Sequence, residues 1–202
     1  MSGVGSEYHN IAEEDALRAQ WYGLLAGLLA APPTPEMLKK IGAIEGDETA
    51  LGQAVNRLAA AARGTTADAL EDEFQILFIG VGGGVLTPYG SYYLSGFTYE
   101  KPLAKLRIDM LRLGITRADD VYEPEDHIAS LCEILSGLIT GKYGGSADLA
   151  KQRAFFDVHV SPWAGLFFKD LEAASGADFY RPVGSVGRLF MELEGQAFTM
   201  AA

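Results

Sequence analysis

From Leu17 to Leu193 the apolar residues of this chain return every three or four positions, and nearly every such run is bracketed by a capping or breaking residue. That spacing marks one face of a 3.6-residue helix. No stretch outside Val85 to Leu94 offers the alternation of a strand. Leu17, Trp21, Leu24, Leu25 and Leu28 predict a first helix, ended by Pro32-Pro33. Thr34, Pro35 and Glu36 supply a cap, a proline at the first position and an acid in the first turn of a second. Leu51, Val55, Leu58 and Ala62 predict a third, closing near Gly64. Leu70, Phe74, Leu77 and Phe78 predict a fourth, closing at Gly80. Leu103, Leu106, Met110 and Leu113 follow, with Gly114 placed for a left-handed cap.

The later half keeps the pattern. Ile128, Leu131, Leu135, Leu138 and Ile139 line a long helix ending at Gly141. Leu149, Phe156 and Val160 predict another, stopped by Pro162. Ser161-Pro162 is expected to open a helix carrying Trp163, Leu166, Phe167 and Leu171, with Gly176 beyond its end. Val186, Leu189, Phe190 and Leu193 predict the last. The expected fold is all-α, about ten helices with no internal repeat. A chain of 202 residues buries a substantial core. It is expected to form one domain, 1–202, of two helical halves, about 11–113 and 123–198. The segment 114–122 reads as their linker, with a hinge near 114–124.

Charge narrows the function. Sixteen basic against 27 acidic residues leave a net charge of -11, which opposes phosphate binding and so excludes nucleic acid as an expected partner. It also disfavours an anionic membrane surface. It suits a basic peptide or protein partner, and equally suits an ordinary acidic soluble protein. Cys132 is the only cysteine, so no internal disulfide is possible, and its place in an apolar stripe makes it core filler. Residues 1–10 lack a basic stretch followed by an apolar one. Trp21 to Ala31 is about half the length that spans a bilayer. The expectation is a cytoplasmic protein with no membrane insertion.

Two segments break the helical pattern. Gly80-Val81-Gly82-Gly83-Gly84 raises a phosphate cradle, but no Lys-Ser/Thr and no leading strand complete one. A flexible connector is the better reading. Tyr89, Tyr92, Tyr93, Phe97 and Tyr99 then place five aromatics within eleven positions, a composition that serves core or binding surface.

The second break runs from Gly114 to His127. Pro124 is expected to open a helix, with Glu125 and Asp126 in its first turn, where carboxylates meet the helix dipole. On that helix Asp126 and His127 would project about 100° apart and could not share one buried stripe. His127, beside three carboxylates, is expected to hold its charge. His9 and His159 lie too far along the chain to build a metal site with it, and no nucleophile–base arrangement is readable. No catalytic residue, metal or cofactor is expected, and the chain is not expected to be an enzyme.

Glu71-Asp72-Glu73-Phe74 through Leu77-Phe78, Pro88-Tyr89-x-Ser91, Glu123-Pro124-x-Asp126-His127, and Phe155-x3-His159-x3-Trp163 stand in the order seen in the TorD/DmsD family. The chain resembles those cytoplasmic chaperones of molybdenum-containing oxidoreductases over about residues 15–195. The nitrate-reductase-specific NarJ group is a more distant relative. The Phe74 motif and Tyr89 stand where relatives often carry tryptophan. The resemblance implies an all-helical chaperone that binds the twin-arginine signal peptide of a client precursor, its folded body, or both. It would delay export until the molybdenum cofactor is in place. Asp126 and His127 would be the polar centre of the client site, with Glu123 and Pro124 shaping the hinge. Pro88, Tyr89, Ser91 and Tyr92 would line a groove. Phe74, Leu77 and Phe78 would be groove or core, and His159 and Trp163 would pack C-terminal helices. Ser91 alternatively caps a turn.

Two alternatives stay open: a guanine-nucleotide-binding protein or weak GTPase on the same fold, and an oligomeric module that binds only the folded client. Partners implied are the molybdoenzyme precursor, with GTP and molybdenum-cofactor biosynthesis proteins as further ones. The expected state is a monomer or a domain-swapped homodimer.

Overall fold

The computed structural model describes residues 12–80, 83–117 and 122–200. Among them are ten α-helices, and the only β-type pairing is an isolated bridge between Tyr89 and His127. The helices are α1 (Glu13–Ala30), α2 (Pro35–Gly42), α3 (Ala50–Arg63), α4 (Ala67–Phe74), α5 (Gly90–Ser95), α6 (Lys101–Arg112), α7 (Ile128–Thr140), α8 (Leu149–His159), α9 (Ala164–Ala173) and α10 (Tyr180–Met200). The all-α expectation therefore holds.

The helices start and stop largely where side-chain chemistry directs. Thr34, Thr49, Thr66 and Asp148 each accept a hydrogen bond from a first-turn backbone N–H of α2, α3, α4 and α8, each such cap contributing about 1 kcal/mol. Gly114 takes the left-handed backbone expected of it, and Gly141, which ends α7 as expected, takes it too. The fourth helix departs from expectation. After Phe74 it widens into a π-helical turn, Gln75–Ile79, closed by Gly80 N–H donating to Gln75 O at 2.7 Å. The chain then folds back, so that Val85 and Leu86 donate to the carbonyls of Ile76 and Leu77. Val85 to Leu94 forms no strand; its second half is α5. Ser161-Pro162 does not open α9 either. That helix begins at Ala164 with the fully buried Trp163 in the cap position, making no side-chain cap bond. Indole burial there outweighs the local capping signal.

The chain divides into two compact units, each built from separated stretches. The first holds residues 1–26 and 89–162, the second 27–88 and 163–202. The linker and hinge expected around 114–124 fall within the first unit's long stretch, with 118–121 outside the described residues. In the first unit α6 packs on α5 and α8, and α7 on α8. Its core includes Tyr22, Leu103, Leu106, Leu131, Leu135 and Phe156. Ser136 Oγ donates to Ala19 O at 3.0 Å, tying α7 to α1, and Arg18 donates to Gln152 on α8 at 3.0 Å.

In the second unit α10 packs on α9 and α3, and α2 on α3. Gly187 permits the α9–α10 approach, because a Cβ there would lie 2.2 Å from the Phe168 ring. The apolar stripes are wider than the surfaces they cover: Leu17, Leu149, Leu166 and Leu193 remain exposed.

Candidate functional site

In the first unit, five residues between α6 and α7 tie down most of their surroundings. Residues 124–127 form a turn closed by His127 N–H donating to Pro124 O at 3.1 Å. The helix expected to open at Pro124 thus begins four residues later, at Ile128. Its cap is His127, whose Nδ1 accepts from Ala129 N–H at 3.1 Å. Histidine is not among the favoured N-caps, so Pro124 with its acids gave the stronger but misleading signal. The bond also assigns the tautomer: with Nδ1 accepting, Nε2 carries the proton.

Asp126 performs the matching task for α5. Its carbonyl accepts from Gly90 N–H at 2.9 Å, and its Oδ2 accepts from Ser91 N–H at 2.7 Å. Tyr89 precedes α5 without a side-chain cap, so Asp126, 35 positions away, satisfies the first helical N–H groups. Because neither residue is helical, Asp126 and His127 are buried together, 3% and 9% exposed. The expectation that they could not share a buried face is corrected on that ground. Asp126 Oδ1 and Ser91 Oγ are buried without a hydrogen-bond partner among the described residues. Ser91 is thus capped through its N–H; its own hydroxyl caps nothing.

The expectation that His127 stays charged is also corrected. Burial holds its pKa down to about 4, and the charges of Glu123 and Asp126 pull upward without offsetting it. A protonated ring could not accept from Ala129, and its charge would face a helix N-terminus. Glu123 is exposed and accepts from the Tyr89 hydroxyl. The Tyr89 ring stands edge-on to His127 at 5.1 Å. Burial, then the bond and charge of Glu123, push the Tyr89 phenol up, so it stays protonated. Glu125 pairs with Arg107 of α6 at 2.9 Å. Burial alone would raise its carboxyl, but the Arg107 bond, its own backbone N–H and the charges of Arg107 and Arg117 hold it below the ordinary range.

The structure thus brings together Tyr89, Ser91, Glu123, Pro124, Asp126 and His127. Pro124 is buried, and Tyr92 is exposed on α5. Arg107 escaped the sequence reading because its partner lies 18 positions away, beyond any helical pairing rule.

Phe74, Leu77, Phe78 and Pro88 belong to the second unit. Leu77 and Phe74 are buried, and Phe74, Phe78 and Tyr180 form a cluster with centroids 4.9 to 6.0 Å apart. Glu73 accepts from the N–H groups of Phe179 and Tyr180 at the start of α10. Trp163 is core there, beside Phe167 at 6.1 Å. His159 is buried in the first unit, bonded to Asp109 of α6 at 3.0 Å and tilted against Phe155.

Cys132 is core as expected, and burial pushes its thiol up. A groove of about 640 Å³ in the second unit, lined by Leu38, Lys39, Arg63 and Thr66 among others, contains none of the sequence-derived site residues. His9 lies outside the described residues. Among the described residues no acid, histidine and cysteine cluster could hold a metal, and no helix is long and apolar enough to cross a membrane.

The described residues of the glycine run and its flank are tied into the fold rather than open as a phosphate cradle. The N–H groups of Gly83, Val85 and Leu86 already donate to Gly80, Ile76 and Leu77. Gly84 lies so close to the backbone of residues 77–78 that a Cβ would sit 2.5 Å from Leu77 O. That glycine is needed for the fold-back after the π-helical turn; residues 81–82 lie outside the described set.

Among the described residues the fold is helical and the turn at 123–127 caps two of its helices. The nitrate reductase delta subunit family matches residues 44–169, more than half of the chain, and the chain belongs to it. Its class is that of the TorD-like redox enzyme maturation chaperones. The chain is also similar to the crystal structure of a candidate redox enzyme maturation protein from Archaeoglobus fulgidus. The TM-score is 0.57 at 22% identity, over 94% of this chain and 99% of that one. At that identity the likeness is one of fold. No curated protein sequence matches the chain. The family resemblance read from the motifs therefore holds.

Proposed function

We propose that the chain binds the twin-arginine signal peptide of a molybdenum-containing oxidoreductase precursor and delays its export until the cofactor is inserted. It acts by binding rather than turnover, in the cytoplasm, and the family description adds a nitrate reductase to the clients that fit. The carrying observation is the turn at 123–127. Glu123 presents a carboxylate at the surface, and the neutral His127 has Nε2–H as its remaining donor. Arginine forks pair bidentately with carboxylates, and the net charge of -11 speeds encounter with a basic segment.

The test is an affinity capture from anaerobically grown source cells, read by mass spectrometry. Wild type is expected to enrich one twin-arginine molybdoenzyme, and an Asp126→Ala/His127→Ala variant to lose it. Capture of no such enzyme by wild type would overturn the reading. Retention of the client after deletion of its signal peptide would move the contact to the folded body.

A further inference from the structure

Two helices carry a second apolar face that the rest of the chain leaves in water. α6 buries Leu103, Leu106 and Met110, and one such face is all that a surface helix needs. On its other side Ile108 is 52% exposed and Leu111 71%. Lys101, Lys105 and Arg112 are exposed with them. Positions 101, 105, 108 and 112 follow the i, i+4, i+7, i+11 line of one helix face. Residues 101–112 hold four cations against one acid, in a chain whose net charge is -11. Lys105 and Arg112 both reach that acid, Asp109, and Lys101 makes no ion pair among the described residues.

α4 and the π-helical turn after it present the opposite charge. Their buried side is Leu70, Phe74 and Leu77. Asp68, Glu71 and Asp72 are exposed on the other side, and Ile76 and Ile79 follow them there, 56% and 53% exposed. Val85, also exposed, is fastened beside Ile76, its N–H donating to Ile76 O at 3.2 Å. Residues 67–79 hold four acids and no cation. Glu73 is committed to the start of α10, whereas Asp68, Glu71 and Asp72 make no ion pair among the described residues.

The two faces match in length, order and sign. Each spans about 18 Å of helix, 68–79 and 101–112, at 1.5 Å per residue. Laid side by side in the same chain direction, the three acids fall opposite Lys101 and Lys105. Ile76 and Ile79 then fall opposite Ile108 and Leu111. The reverse direction would set the acids on Leu111 and the isoleucines on Lys101 and Lys105, leaving each apolar pair against charge. Apolar contact with complementary charges beside it is the pattern of a specific interface.

We propose that the chain associates with a second copy of itself, the α4 face of one copy lying parallel against the α6 face of the next. The occupant is a second copy because every chain carries both halves of the match. The two faces differ, so the contact is heterologous, and it exchanges no helix between copies. It stands or falls apart from the client reading above.

The test is sedimentation velocity of the full chain over a concentration series at low and high salt. Wild type is expected to form a larger species that grows with concentration and dissociates as salt rises. Glu71→Lys/Asp72→Lys and Lys101→Glu/Lys105→Glu each set like charges face to face, and each should weaken association at least about tenfold. Mixed in equal amounts, the two variants should associate again. The basic α6 face of the first then meets the acidic α4 face of the second, and the reversed faces match each other as well. Ile76→Ser/Ile79→Ser should weaken association while leaving its salt dependence unchanged. A wild type that stays monomeric at every concentration overturns the proposal. So does association that both reversals leave intact, which would assign it to exchanged helices or another face. Loss in both variants without recovery on mixing overturns it too.

Discussion

The two motif regions, 74–78 in the second unit and 123–127 in the first, do opposite kinds of work. The first is apolar and packs: Phe74 and Phe78 stand against Tyr180, Leu77 is fully buried, and the π-helical turn sets their widened spacing. The second is polar and caps: Asp126 satisfies α5, His127 satisfies α7, Glu125 holds α6 through Arg107, and Glu123 holds Tyr89. A residue in the first acts through volume, and a residue in the second through one oriented atom. The same label of motif residue thus covers two physical roles, and substitution separates them.

The largest difference should appear at Leu77, which is fully buried. Leu77→Ala is expected to cost about 2–5 kcal/mol in urea unfolding, as cavities in packed cores do. A cost below about 1 kcal/mol would show that the π-helical turn is loosely packed.

Next comes pH, which should act mainly on the polar region. His127 titrates near 4 folded against about 6.5 unfolded. Between those values the unfolded chain binds more protons. Stability is therefore complete above about pH 6.5 and falls as pH drops toward 4, by up to about 3 kcal/mol. His127→Asn keeps a capping side chain and removes the titration, so it should flatten most of that slope. The residual slope belongs to His159, which burial lowers in the same direction against the pull of Asp109. A slope unchanged in His127→Asn would remove His127 as its source.

Asp126→Ala should cost about 1.5–3 kcal/mol, since it leaves the Ser91 N–H buried without its charged acceptor. Asp126→Asn, which keeps an acceptor oxygen, should recover most of that. Equal losses in the two variants would mean that charge, rather than the cap, holds α5. The smallest effect is expected at Arg107, which is half exposed. Arg107→Ala should cost at most about 1 kcal/mol in denaturant and less at high salt.

Some of this was open to reading and some was closed. The packing region was legible because Leu70, Phe74 and Leu77 repeat with the helix period. Only the extra π residue was hidden, because nothing local demands it; the fold-back of Val85 and Leu86 does. In the capping region the residues were found and their roles were not. Pro124 with two acids is a strong local signal for a helix start, yet the helix waits for His127. Asp126 looked like a helical acid because its partner, the α5 N-terminus, lies 35 positions away.

By itself the sequence determined the helical class, most helix starts and stops, the acidic surface and the family, because periodicity, capping and charge are local properties of neighbouring residues. Only tertiary structure decided that Asp126 and His127 are buried caps, that His127 is neutral, and that Glu123 takes the Tyr89 hydroxyl. Those states depend on which distant N–H groups and carboxylates come within about 3 Å, and on how much water their packing excludes.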